Sequence, residues 1–123
     1  MDIGLSTNDP LMFSSIKALY DTGSTITVLR EEILAEPPLK MLGYRDVLGV
    51  NGFGRYKTCL GALSLPTETG PYIIEDHPIA IRPRDSDPNF HASFDMILGM
   101  DVIEKGVLTV DGPGAAFVFD INP

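Results

Sequence analysis

The chain has 123 residues, 44% of them hydrophobic, with 12 Gly and 10 Pro, enough for one domain with its own core and too few for two of ordinary size. Its net charge of -8, from 17 acidic against 9 basic side chains, excludes a basic phosphate-binding surface, so nucleic acid is not an expected partner. A single cysteine, Cys59, excludes an internal disulfide, and no run of about 18 apolar residues offers a membrane span; a reducing compartment, the cytoplasm, is the expected location.

Residues 1–10 carry Asp2 and Asp9 but no basic residue and no apolar stretch of a secretory signal. They read as a flexible segment ahead of a single domain over 11–123. The stretch 11–20 reads as a strand, with Ile16, Ala18 and Tyr20 alternating against Lys17 and Leu19. Asp21-Thr22-Gly23-Ser24-Thr25 is a loop in which Gly23 permits backbone conformations closed to other residues. The β-branched Ile26, Thr27 and Val28 then resume extended structure. Over 29–36 the spacing of Leu29, Ile33 and Leu34 predicts a helix, stopped by Pro37-Pro38.

Two strands over 44–50 and 53–65 flank Asn51-Gly52, a pair that predicts a tight hairpin turn. Short strands are expected at 72–74 and 78–81, a loop at 82–91, and a buried strand at 94–98 ending on Gly99. A short helix follows near 102–105, with Asp101 placed to cap it. Strands at 107–110 and 115–121 are separated by Asp111-Gly112-Pro113-Gly114. Many short strands with regular turn signals predict an all-β, barrel-like domain with one or two short helices.

The motif that carries chemistry is Asp21-Thr22-Gly23-Ser24. An aspartate at the end of a buried strand, held by a hydroxyl residue and a glycine, presents a carboxylate at a rigid position. Carboxylate-driven peptide hydrolysis needs two such groups sharing one proton. The chain contains the motif once. The second carboxylate is therefore expected from a second copy, with the site across the interface of a homodimer. Asp, Gly and Ser are also ordinary turn residues. The motif gains weight from the strand before it, the β-branched run after it, and Ile97-Leu98-Gly99-Met100-Asp101 far downstream.

In these two motifs, their order and their separation, the chain resembles the retropepsin-like aspartic proteases, a single-domain family that includes retroviral proteases. The resemblance covers roughly 16–103. It implies a small closed acid-protease barrel, dimeric, with Asp21 as the catalytic aspartate of each protomer and a polypeptide as substrate. It implies that Thr22 locks the two active-site loops together, that Gly23 approaches the substrate backbone, and that Ser24 completes the loop. Gly49, Val50, Asn51, Gly52 and Phe53 match the tip of a flap hairpin that closes over substrate. Ile97, Leu98 and Gly99 match the strand that buttresses the active-site loop, and 115–121 matches a terminal strand of the dimer sheet. No cofactor or metal is implied. Thr25 and Met100 stand where retroviral enzymes carry an acidic and a basic residue that interact, so the resemblance does not extend to that contact. The alternative reading is a catalytically silent peptide-binding or dimerisation module on the same fold.

Other patterns fall short. Asp85, Asp87 and Asn89 mimic the start of a calcium loop, but Phe90 and Met96 stand where Gly and Glu are needed. Cys59, His77 and His91 lack metal-ligand spacing. Cys59 reads as a small buried hydrophobe, and His77 and His91 sit in turn-like, Pro-containing surroundings.

Overall fold

The computed structural model describes residues 1–49, 52–83, 94–111 and 116–121. In chain order the elements are β1 (Asp2–Ser6), β2 (Ser14–Tyr20), β3 (Val28–Arg30), a 3-10 turn (Glu31–Ile33), β4 (Met41–Gly49), β5 (Gly52–Thr67), β6 (Gly70–Arg82), β7 (Met96–Leu98), α1 (Met100–Ile103), β8 (Gly106–Asp111) and β9 (Ala116–Ile121). The main sheet runs β1-β2-β7-β3-β6-β5-β4, and a further pairing of β1 with β5 closes six of these strands into a barrel. β4 lies outside the closure as the outer arm of a long hairpin with β5. β8 and β9 form a separate antiparallel pair. The all-β barrel expected from the turn pattern is the observed fold. Among the described residues no helix is long and apolar enough to cross a membrane.

The core is the inside of the barrel. Strand alternation turns Ile3 and Leu5 of β1, Ile16 and Ala18 of β2, Leu29 of β3, Leu63 and Leu65 of β5, Ile79 and Ile81 of β6, and Met96 and Leu98 of β7 inward. Val102 and Ile103 of α1 and Phe119 of β9 cover one end, and the Phe119 ring lies 5.0 Å from that of Tyr20. Cys59 is buried, as its apolar strand context predicts, and burial pushes its thiol up to about 11.

Several expectations are corrected here. Residues 2–6, expected within a flexible segment, form the strand β1. Ile3 and Leu5 are apolar at period two, and β1 fills the gap between β2 and β5 that would otherwise leave the barrel open. The helix expected over 29–36 is one 3-10 turn, because Leu29 is drawn into the sheet between β6 and β7 and Pro37 leaves no length for further turns. The two short strands expected at 72–74 and 78–81 are one strand, β6, which continues past a left-handed Asp76 (φ 50°). It is joined to β5 by a turn in which Gly70 has φ 115° and the Thr67 hydroxyl donates to the Gly70 carbonyl. The hairpin predicted around Asn51-Gly52 is present, with Leu48 opposite Phe53 and Gly49 opposite Gly52. Val50 and Asn51 lie outside the described residues, as do 84–93, with the calcium-like pattern, and 112–115; of the loop expected at 82–91, Arg82 ends β6 instead.

Candidate active site

Asp21 sits where β2 ends. Continuing the alternation of β2 puts it on the face of Leu19, outside the packed interior. That face is apolar: Leu19 is paired with Ile97, Ile97 with Val28, and Val28 with Ala80, a row running across β2, β7, β3 and β6 beside the carboxylate. Leu19 is 41% exposed. The Asp21 amide donates to the Leu98 carbonyl at 2.9 Å, so the residue is anchored to the end of β7. Its Oδ1 accepts the Gly23 N–H at 2.9 Å, and Oδ2 has no hydrogen-bond partner among the described residues. One carboxylate oxygen is thus held and the other is without a partner among the described residues.

The loop behind Asp21 is bonded within itself and to the junction of β7 and α1. Ser24 donates from its hydroxyl to the Ile26 carbonyl at 2.7 Å, and its carbonyl accepts the Met100 N–H at 2.7 Å. Gly99 passes so close to Ile26 that an added Cβ would lie 2.2 Å from the Ile26 carbonyl oxygen. Gly23 does not adopt the left-handed conformation expected for it. What its missing side chain permits is proximity, since a Cβ there would sit 3.2 Å from Asp21 Oδ1. Thr22 and Thr25 are exposed on the rim of the loop.

Thr27 is fully buried and is the central knot. Its amide donates to Asp101 Oδ2 at 3.1 Å and its hydroxyl to Asp101 Oδ1 at 2.8 Å, while its carbonyl accepts the Ala80 N–H at 3.0 Å. The Gly99 amide donates to the same hydroxyl oxygen at 3.4 Å. Asp101 therefore does not cap α1, as sequence spacing suggested. α1 begins one residue earlier, at Met100, with Gly99 at its N-cap, and the Asp101 side chain turns back to the active-site loop. Burial by itself would raise the Asp101 carboxyl. The hydrogen bonds from His77 and Thr27, with the electrostatic attraction of His77, more than offset that and hold it below the ordinary carboxylate value.

His77 is the residue that sequence reasoning missed. Far from being in a turn, it lies within β6, is 6% exposed, and places Nε2 3.0 Å from Asp101 Oδ2. Its sequence signal is weak, a lone histidine before Pro78 with no patterned partner.

At the opposite end of β7, Asp95 ties strands together. It accepts the Lys17 amide at 3.0 Å and Arg30 Nη2 at 2.9 Å, pinning β2 and β3 to the start of β7. The Ile97-Leu98-Gly99 strand thus lies against the active-site loop with both its ends tied. The flap-tip positions Gly49 and Gly52 close the β4–β5 ladder about the tip.

No family model matches the chain, and no curated protein matches it. Among solved structures it is similar to the retroviral protease-like domain of Ddi1 from Leishmania major, at 14% identity and a TM-score of 0.50, over 98% of this chain and 87% of that one. At that identity the likeness speaks for the fold alone. The chain has a retroviral protease-like fold.

Proposed function

We propose that this chain is an aspartic endopeptidase that works as a homodimer, with one Asp21 from each protomer forming the catalytic pair. The observation that carries the reading is the Asp21 carboxylate itself: it stands at a strand end in a retroviral protease-like barrel, with Oδ1 held by Gly23, Oδ2 open, and an apolar row beside it. Two such carboxylates brought together share one proton. The ionised member takes a proton from water as that water attacks the scissile carbonyl. The protonated member hydrogen-bonds the carbonyl oxygen, and a proton passes to the leaving amine. No covalent intermediate forms. The substrate is an extended polypeptide, lying over the Leu19–Ile97–Val28 row with the β4–β5 hairpin, including Gly49 to Phe53, closing as a flap. The β8–β9 pair, which stands apart from the barrel sheet, is where the second copy docks, and Thr22 links the two active-site loops.

The test is cleavage of a diverse peptide mixture by wild type and Asp21→Asn, read by mass spectrometry at mildly acidic and neutral pH. Cuts by the wild type that fall by at least about a thousandfold in the variant are expected. If neither protein cuts at concentrations where sedimentation demonstrates a dimer, the silent peptide-binding module takes its place.

A further inference from the structure

We propose that His77 is a positioning residue for Asp21, acting through Asp101 and Thr27 to hold the active-site loop in place; this rests on the endopeptidase reading. The Asp101 carboxylate accepts from three donors, the Thr27 amide, the Thr27 hydroxyl and His77 Nε2–H. Two of these belong to the active-site loop. The third comes from β6, a strand that belongs to neither sequence motif. An ionised carboxylate only accepts hydrogen bonds, so His77 must donate here, and it does so at a site where its ring is almost wholly shielded from water.

The mechanical consequence follows from the bond pattern. Asp101 Oδ2 is shared between His77 and the Thr27 amide. Remove His77, and the carboxylate loses its fixed anchor on the barrel wall while keeping its bonds to the loop it is meant to restrain. Asp101 then moves with the loop. Ser24 and Asp21, tied to Met100 and Leu98 on the same flank, lose a reference point. β6 also binds Thr27 directly through the Ala80 amide, so His77 and Ala80 grip the knot from one strand at two places. The effect of His77 on chemistry is indirect: it touches no reacting atom, and it sets where Asp21 points.

The experiment compares His77→Leu, which removes the donor, with His77→Gln, whose amide nitrogen restores it, and measures amide hydrogen exchange and peptide cleavage. In His77→Leu the Asp21, Thr27 and Met100 amides are expected to exchange about tenfold faster, with amides of the β1–β5 ladder such as Leu63 unchanged. His77→Gln returns them to wild-type rates. In cleavage, kcat falls about tenfold in His77→Leu with KM within about twofold, and His77→Gln recovers most of it. In an Asp101→Asn background the same His77→Leu change has little further effect, because the two act in series. Unchanged exchange at the loop, or equal acceleration over the whole barrel, overturns the proposal, as does a His77→Gln protein that behaves like His77→Leu. If the wild type cleaves nothing but the exchange pattern appears, the loop restraint stands and only the endopeptidase reading falls.

Discussion

The loop over 21–27 and the outer part of the β4–β5 hairpin each carry a glycine-bearing turn signal in the sequence, and the protein holds them in opposite ways. The loop is bonded on one flank to Leu98, Gly99, Met100 and Asp101, each 72 or more positions from its partner, and on the other to Ala80. The hairpin is held mainly by its own ladder. β4 is the end strand of the sheet, Leu42 and Tyr44 are 57% and 66% exposed, and the Asp46–Arg55 pair at 3.5 Å is open to water. What distinguishes the two segments is whether distant parts of the chain return to satisfy their backbone groups. The loop that carries Asp21 is tied from two sides, and the outer hairpin is tied from one.

Substitutions in the two regions should therefore differ in cost, and the sharpest contrast is Gly99→Ala. With Ile26 backbone atoms within 2.2 to 2.8 Å of the new methyl group, the loop and the β7–α1 junction cannot both stay where they are. A loss of about 3 kcal/mol in urea unfolding is expected; a loss under about 0.5 kcal/mol would mean the two segments are not interlocked. Thr27→Val keeps the shape but removes the hydroxyl that donates to Asp101 and accepts from Gly99. About 2 kcal/mol should be lost in the same assay, with catalysis falling further than stability alone explains.

The Asp101 brace also gives the loop a pH dependence. Because the folded-state value of Asp101 lies below its unfolded one, the group stabilises the fold above the ordinary carboxylate range, and that contribution is lost as pH falls through the folded value. Below about pH 4 the stability of Asp101→Asn should fall less steeply than that of the wild type; parallel acid-unfolding curves would remove Asp101 from the account. The smallest effect belongs to the hairpin. Arg55→Ala breaks an exposed pair and should change stability by no more than about 0.5 kcal/mol. A change of several times that size in thermal unfolding would show that the hairpin is braced after all and erase the contrast.

Much of this was legible along the chain. Asp21 followed by Gly23, the Ile97-Leu98-Gly99 run and the hairpin about Asn51-Gly52 are local patterns with local causes: alternation ends a strand, and a hairpin needs glycine or asparagine near its tip. The Gly99 position was legible too, although its reason, contact with Ile26, lies 73 residues away in sequence. The misread elements share a cause. Leu29, Ile33 and Leu34 fit a helical face, but burial of Leu29 between two strands outweighs a weak helical preference. Residues 2–6 look marginal alone and become a strand because both neighbouring edges need a partner.

The sequence by itself determined the strand-rich class, the one carboxylate at a strand end, and hence the need for a second copy under the proposed chemistry. Only the tertiary structure decided the rest. It closed the barrel through β1, turned Asp101 from a helix cap into a brace, and brought His77 to it from β6. The physical reason is that hydrogen bonds between distant side chains carry no period. A buried carboxylate needs donors, and nothing in the spacing of residues says which strand will supply them.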